Sequence, residues 1–256
     1  MSLISKKMLI LTALFLTISA TASVRAQIAE EAVMGCWLFE EGSGDTVTDF
    51  SGNGYDAMIT GVADWADGKY GNGVELQGGQ ITVPGTGETF QLTTYSLLAW
   101  INSEETGGFQ GIMHKEEGGT SGRTFLMYLG TTGIPSCSMS QGGTNSDFSA
   151  QTPVSDGNWH HVAITFDEDS RMAQIYVDGV MEASKEYIED APQHGTIVNL
   201  NKTNYRGVID EMLIANVALS NEDILVAMEG LEAFISPKAV EPSGKIALTW
   251  GAIKLK

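Results

Sequence analysis

Two adjacent histidines open an alternating apolar run in the segment NWHHVAITFDEDSRMAQIYVDG, residues 158–179. Histidine side chains bind metal ions and act as acids or bases, so the pair has the residue type of a chemical site. Successive side chains of a β-strand point to opposite faces, so His160 and His161 cannot chelate one ion together. His160 shares a face with Val162 and Ile164, which predicts that it faces the core. We therefore interpret the pair as the start of a strand, and not as a catalytic site.

A second group with chemical potential is rich in oxygen atoms. The sequence DFSGNG places Asp49 and Asn53 around a tight Ser-Gly turn. Calcium takes about six to eight oxygen ligands of this kind. The alternative is that both side chains cap the turn by hydrogen bonds to the backbone. The residues alone leave both interpretations open.

The first 26 residues have the layout of a secretory signal peptide. Lys6 and Lys7 precede the apolar run MLILTALFLTISATA, and small residues follow it, so cleavage is expected after Ala22 or Ala26. The run is shorter than the roughly 20 apolar residues of a spanning helix. We expect an exported protein, periplasmic or extracellular, without membrane insertion after cleavage.

Charge and cysteine content narrow the function classes. The chain has 256 residues and a net charge of −18, which becomes about −21 once Lys6, Lys7 and Arg25 are removed with the signal peptide. Such a surface repels phosphate backbones, so nucleic acid is excluded as a partner. An exported protein permits a disulfide between Cys36 and Cys137, but two cysteines do not make a disulfide framework, and the pairing stays open.

Short apolar runs separated by Gly, Asn, Asp and Ser extend from residue 33 to about 216. Many short strands without intervening helices predict an antiparallel sandwich or barrel. The segment TYSLLAWIN, residues 94–102, is apolar on both faces, which predicts a strand within the sheet whose second face is covered or forms a groove. The predicted strands are VMGCWLFE, YDAMIT, GVELQ, QITVP, TYSLLAWIN, GIMHK, TFLMYLG, SCSMS, WHHVAITFD, AQIYVDG, TIVNLN and GVIDEMLIAN.

One helix is predicted after the strands, over residues 220–234. Ser220 is its N-cap and Asp223 follows three residues later, a variant of the capping box. Apolar residues then recur at helical spacing. The chain thus divides into a signal peptide (1–26), a β-sandwich domain (33–219), the helix (220–234) and a tail (235–256) that either adds a strand or docks elsewhere.

Several segments together resemble the laminin-G-like domain of the concanavalin A-like lectin/glucanase type. They are, in order along residues 34–225, WLFEEGSGDTVTDFSGNGYDAMI, GKYGNGVELQG, YSLLAWI, WHHVAITFD with IYVDG, and YRGVIDEMLIANVALSNEDI. The resemblance implies a two-sheet antiparallel jelly roll. It also implies that the first and last strands pair, which brings Asp210, and with it Glu40, towards Asp49 and Asn53 as ligands of a structural calcium ion.

Related folds include glucanases that carry three carboxylates on one face of a strand. Such carboxylates must flank the scissile bond. The nearest match is GVIDEMLIA, in which Val208 and Met212 flank Asp210 on its face and Glu211 is predicted to point the other way. A Gly-x-Ser-x-Gly elbow is also absent from the sequence. We therefore predict a protein that is not an enzyme, with a glycoside hydrolase as the minor alternative.

Aromatic rings and polar side chains in or near loops are the candidates for a ligand surface. Sugar recognition uses aromatic rings against the pyranose face and hydrogen-bonding groups around them. The predicted ligand-binding residues are Phe109, Arg123, Phe125, Tyr128 and Tyr205. The leading hypothesis is an exported, non-catalytic module that binds a glycan. The alternative is an adhesion or structural domain that binds a cell-surface protein.

Overall fold

A computed structural model describes residues 28–86, 89–116, 122–193, 195, 197–202 and 204–235. The predicted signal peptide lies outside the described residues, as does the predicted tail after residue 235. The described residues form two antiparallel sheets packed face to face, with short helices after the last strand. The predicted all-β sandwich is thereby confirmed. Among the described residues, no helix is both long and apolar enough to cross a membrane.

The first sheet, called sheet A, has eight strands. In spatial order they are β14 (Val180–Glu186), β13 (Met172–Val177), β12 (Trp159–Asp167), β7 (Tyr95–Asn102), β16 (Arg206–Ala215), β5 (Asn72–Gln77) and β4 (Ala63–Asp67), with β1 (Val33–Trp37) beside the second half of β16. The first and last strands of the sandwich pair through Cys36 opposite Leu213 and Trp37 opposite Met212, as the resemblance implied.

The second sheet, called sheet B, also has eight strands. In spatial order they are β11 (Thr144–Ser149), β10 (Pro135–Gln141), β9 (Arg123–Leu129), β8 (Gln110–Glu116), β15 (Val198–Asn199), β6 (Gln80–Val83), β3 (Ala57–Thr60) and β2 (Thr46–Val47). Every pairing in this sheet is antiparallel.

The core lies between the two sheets and follows from the alternation of each strand. One face of β7 contributes Tyr95 and Leu97, while β9 contributes Phe125 and Met127 from the opposite sheet. The other face of β7 carries Leu98, which packs in a second apolar cluster. Of the two alternatives predicted for the second face of β7, a cover or a groove, the structure shows the cover.

The cover over sheet A is made by three short helical elements: a 3₁₀ turn (Glu30–Ala32), α1 (Asn221–Ala227) and α2 (Leu231–Ile235). Their apolar residues, among them Ile224 and Phe234, are buried with Leu98 and Leu213 of the sheet. The predicted capping box of Ser220 and Asp223 is present. The predicted helix is present as two short segments, α1 and α2, because Gly230 between them has φ 122° and interrupts the helix.

The two cysteines are free and buried in different layers. Cys36 belongs to the cluster under the helices and Cys137 to the core between the sheets. Burial raises the pKa of both thiols. The disulfide that the sequence left open does not form in this fold.

Candidate ligand-binding face

The outer faces of the two sheets differ in what packs on them, since the described helices pack on the outer face of sheet A. Cross-strand pairing aligns one row of side chains across all eight strands of sheet B. The row is polar except at Leu126 and Met58. It runs through Asp147, Ser138, Leu126, His114, Asn199, Thr82, Met58 and Thr46. The middle of the row is buried at Ser138, Leu126 and His114, and its ends are exposed at Asp147, Met58 and Thr46. A ligand therefore has access to the partly exposed side chains around this buried centre, which a rigid sheet holds in place.

An aromatic pair lies on this face. The ring centroids of Phe109 and Tyr128 are 4.7 Å apart, with an interplanar angle of 32°. Both rings are partly exposed. Asn204 anchors the loop that carries Phe109, since its Nδ2 donates to the Phe109 carbonyl at 2.5 Å and its Oδ1 accepts from the Gly111 amide at 3.2 Å.

A charged network adjoins the aromatic pair. The Glu116 carboxylate accepts hydrogen bonds from Arg123 Nε at 3.0 Å and from Lys202 Nζ. Arg123 Nη1 also donates to Ser138 Oγ at 2.8 Å. Burial opposes ionisation of Glu116, but its hydrogen bonds with Lys202 and Arg123 outweigh burial and lower its pKa. The carboxylate is therefore ionised and held in place by two cations.

Lys202 reaches this network because of a glycine on the neighbouring strand. A Cβ at Gly111 would lie 2.6 Å from Lys202 Cγ, so the lysine side chain occupies the space that any other residue would fill. The Lys202 amide donates to the Gly111 carbonyl at 2.9 Å, and Lys202 Nζ lies 5.8 Å from the Phe109 ring centroid. Gly111 thus determines where Lys202 lies.

His114 lies beside the network. Its side chain is buried, its Nδ1 is 3.7 Å from Glu116 Oε1, and neither ring nitrogen makes a hydrogen bond of good geometry. Burial, and secondarily the charge of Lys202, lowers the pKa of His114 to about 4. The ring is therefore neutral at pH 7 and contributes no positive charge.

Three of the five predicted ligand-binding residues lie on this face: Phe109, Arg123 and Tyr128. The prediction for Phe125 and Tyr205 is wrong, because both side chains are fully buried and belong to the core between the sheets. Sequence reasoning missed Glu116, Lys202 and His114. The strand run GIMHK ended one residue before Glu116, and nothing in the sequence around Lys202 indicates that it lies across Gly111.

The residues predicted to bind calcium hold the backbone instead. Asp49 accepts three backbone N–H groups, those of Cys36, Ser51 and Tyr55, at 3.0 Å each. Asn53 Nδ2 donates to the carbonyls of Val33 and Met34. This is the capping alternative, since carboxylate oxygens facing N–H donors are already engaged.

Glu40 and Asp210 hold a different turn. Glu40 Oε2 accepts from the Asn72 amide, and Asp210 Oδ2 accepts from the Tyr70 amide at 3.0 Å. The described residues contain no group of three His, Cys, Asp or Glu side chains placed to hold a metal ion. As arranged, the four side chains do not fit a calcium ion, so the structure does not favour the calcium site that the resemblance implied at these residues.

A β-bulge corrects the predicted orientation of Glu211. The register of β16 against β7 shifts between Asp210 and Leu213, and Glu211 has φ 48°. Glu211 therefore turns towards the helices, where its Oε2 accepts from the Leu231 amide of α2. Burial raises the pKa of Asp210 to about 8 and that of Glu211 to about 7. Both carboxyl groups accept hydrogen bonds from backbone amides, and neither lines a described cleft.

The histidine pair has two structural roles, on opposite faces as predicted. His161 is buried with its ring 5.3 Å from the Trp100 ring, and burial lowers its pKa to about 3. His160 lies outside the core cluster, contrary to prediction, because Asp178 and Asp156 bind its two ring nitrogens at 2.8 and 3.1 Å. Burial opposes protonation of His160, but these carboxylates outweigh it and raise its pKa.

Two open clefts, of about 710 and 610 Å³, lie away from this face, on the outer side of sheet A. The first lies between β12, β13 and the segment 216–221. The second lies between β5, β7 and β16, beside Glu75, Glu104 and Glu105. Neither contains a predicted site residue. Their chemistry is less distinctive than that of sheet B, where aromatic rings and a fixed ion network lie together.

Solved structures show the same fold in binding domains of other proteins. The binding domain of Paraclostridial Mosquitocidal Protein 1 is 14% identical with a TM-score of 0.63, covering 77% of this chain and 51% of that one. Domain 4 of AbnA, a GH43 extracellular arabinanase from Geobacillus stearothermophilus in complex with arabinotriose, is 20% identical with a TM-score of 0.60, covering 75% and 96%.

A third structure is the binding domain of botulinum neurotoxin DC in complex with rat synaptotagmin II. It is 12% identical with a TM-score of 0.62, covering 78% of this chain and 52% of that one. The chain thus spans about half the length of the two toxin binding domains. At these identities the likeness shows the fold alone. A search of curated proteins found no match.

The sequence itself supplies the family. A laminin G family model, described as the concanavalin A-like lectin/glucanases superfamily, matches residues 75–225. This match covers more than half of the chain, from β5 into α1, and therefore includes the aromatic pair, the ion network and the central strands of both sheets. The chain belongs to the concanavalin A-like lectin/glucanases superfamily.

Proposed function

We propose that this protein is an exported, non-catalytic module that binds a glycan on the outer face of sheet B. The observation that carries the proposal is the juxtaposition of the partly exposed Phe109–Tyr128 pair with the Glu116–Arg123–Lys202 network on the outer face of sheet B. Aromatic rings bind the apolar face of a pyranose, while fixed polar groups select its hydroxyl orientation.

The network suits sugar hydroxyls because its geometry is set before the ligand arrives. Glu116 is fixed by two cations, and each carboxylate oxygen retains lone pairs for further hydrogen bonds. Arg123 is fixed in turn by the buried hydroxyl of Ser138, which accepts a hydrogen bond from its Nη1. Pre-organised groups of this kind lose little conformational entropy on binding.

The absence of catalysis is part of the proposal. The buried acids with raised pKa values, Asp210 and Glu211, accept hydrogen bonds from the backbone and lie under the helices. A glycosidase needs two carboxyl groups on either side of an accessible scissile bond. We therefore expect a bound oligosaccharide to be recovered intact after prolonged incubation with the protein, and release of shorter fragments would contradict this.

A glycan array probed with residues 27–256 tests the binding proposal. We expect one sugar class to bind reproducibly. Phe109→Ala and Tyr128→Ala should each lose most of that signal. The matched control is Phe50→Ala, since Phe50 is an exposed aromatic outside this face, and it should bind as the parent does. Binding that is unaffected by the first two variants would refute the placement of the site.

Protein binding is the second candidate function, and a different surface favours it. Val180 and Met181 on the edge strand β14 are exposed, as is Leu225 on α1, and Leu225 lies next to Gly179 at the start of that strand. Exposed apolar side chains grouped at an edge strand are typical of protein contacts. A blank array with a folded protein would favour this candidate, and residues 237–256 would be the first segment to delete.

A further inference from the structure

We infer that the ligand of the outer face of sheet B is an uncharged glycan, and that glycans bearing carboxylate or sulfate groups are selected against. This inference rests on the proposed function and specifies its substrate class. It follows from the ion pairs that the two cations at the face already make, and from the net negative charge of the chain.

The two cations at the face are already paired. Arg123 binds Glu116 through Nε and Ser138 through Nη1, and its guanidinium lies 3.9 Å from the Asp147 carboxylate. Lys202 Nζ binds the other oxygen of Glu116. A carboxylate on the ligand must therefore approach two protein carboxylates in order to reach either cation. Like charges placed together across an interface oppose binding strongly.

His114 adds no cation to this balance. Its ring nitrogens lie against Glu116 without hydrogen-bond partners of good geometry, and its burial among Lys202 and Arg123 disfavours the protonated form. A buried, neutral imidazole therefore adds no charge that could attract an anionic ligand to the face.

The other basic side chains of the described residues also contact protein groups. Lys69 lies over Trp100, Lys115 donates to the Phe90 carbonyl and Arg171 binds Asp190. Arg206 donates to the Tyr205 carbonyl, and Lys185, at the edge of the face, donates to Ser146 Oγ and the Asp147 carbonyl. The chain carries a net charge of −18. Its long-range potential therefore repels polyanions at low ionic strength.

A matched pair of ligands tests the inference. One is a neutral oligosaccharide that binds on the array, and the other is the same oligosaccharide with its primary hydroxyl groups oxidised to carboxylates. We expect oxidation to weaken binding about tenfold or more at low salt, since the new charges meet Glu116 and Asp147. Raising the salt concentration should leave binding of the neutral ligand unchanged and reduce the penalty of the oxidised one.

Two variants separate the charge effect from folding. Glu116→Gln frees Arg123 and Lys202, so the oxidised ligand should gain affinity while the neutral ligand loses some. Asp147→Asn removes a half-exposed charge 3.9 Å from Arg123 and keeps the hydrogen bonds to Glu116, and it should shrink the penalty of oxidation to a smaller extent. Melting curves of both variants establish that they fold.

The outcomes distinguish the inference from the proposed function. If the oxidised ligand binds the parent as tightly as the neutral one, through Phe109 and Tyr128, the inference is overturned and glycan binding stands. If Asp147→Asn leaves the penalty of oxidation unchanged in a folded protein and Glu116→Gln does the same, the charge argument is wrong. If no glycan binds at all, the proposed function fails first.

Discussion

Replacing Asn201 with alanine should destabilise the fold more than any other single polar substitution near the candidate face. Asn201 is fully buried, its Oδ1 accepts from the Ile81 amide at 2.6 Å, and its Nδ2 donates to the carbonyls of Gly79 and Lys202 at 2.9 Å each. The side chain joins β6 to the segment that carries Lys202, so it supports the ion network as well as the sheet.

The size of the stability loss follows from the backbone groups that lose their hydrogen-bond partner in the variant. Asn201→Ala leaves the Ile81 amide and the Gly79 carbonyl without this partner, and an unsatisfied buried polar group costs about 1–3 kcal/mol. Two such groups give roughly 2–6 kcal/mol of unfolding free energy. For a domain of this size, 1 kcal/mol corresponds to about 2–4 °C in melting temperature. We expect a fall on the order of 10 °C.

Urea unfolding of three proteins measures this effect: the parent, Asn201→Ala and Asn199→Ala. Asn199 is the matched control, because it lies two residues away and its Oδ1 accepts only the side chains of Gln80 and Thr82. Its replacement should cost less than about 1 kcal/mol, as partly exposed side-chain hydrogen bonds do. If the two variants lose equal stability at equal m-values, the inference that the buried hydrogen bonds of Asn201 join β6 to the Lys202 segment is refuted.

Three further predictions concern groups outside the candidate face. Cys36 and Cys137 should react with a thiol reagent only in denaturant, and without prior reduction; a loss of free thiol in the unfolded, unreduced protein would show that a disulfide forms. Burial raises the folded-state pKa of Glu211 to about 7, above its unfolded value of about 4.3. The folded state then keeps a proton that the unfolded state releases between these pH values, so the free energy of unfolding falls as pH rises. Glu211→Gln should remove that share of the fall, measured as melting temperatures of parent and variant at about pH 5 and 8, and a constant difference between them would contradict the reasoning. Millimolar calcium should leave the melting temperature unchanged, because the predicted ligands hold backbone amides; a rise in the parent that is lost in Asp210→Asn would establish the calcium site.

The sequence predicted the inner strands well and failed at the edges of both sheets. All twelve predicted runs overlap an observed strand, whereas β2, β4, β11 and β14 were missed. These four strands occupy the outermost positions of the two sheets, and only Val47 among their residues is buried. Apolar alternation records burial on one face. The residues of these edge strands are exposed or half-buried apart from Val47, so the alternation is weak there, and β14 exposes the apolar Val180 and Met181.

The candidate face was partly predictable, for a related reason. Phe109 and Tyr128 were predicted because they are aromatic residues in or near predicted loops, and the same criterion wrongly included Phe125 and Tyr205. Phe125 was misjudged because the sequence does not fix which face of the strand it lies on. Phe125 and Tyr128 lie on opposite faces, and a shift of one residue in the register exchanges the two faces. Lys202 came from a segment far away in sequence, and its position depends on a single glycine of another strand.

The distribution of helices decides which sheet can serve as a binding surface. Leu98, Leu213 and Cys36 make the outer face of sheet A apolar, so that face needs a cover, and the segment after β16 supplies it with Ile224 and Phe234. The serines in the middle of the outer face of sheet B, Ser136, Ser138 and Ser140, are buried and have protein hydrogen-bond partners, so this face needs no apolar cover. The same alternation that builds one core therefore gives sheet A an apolar outer face under the helices and sheet B a polar one. The candidate site lies on the outer face of sheet B. Substitutions there should change ligand binding, whereas substitutions of the apolar residues under α1 and α2 should change stability alone.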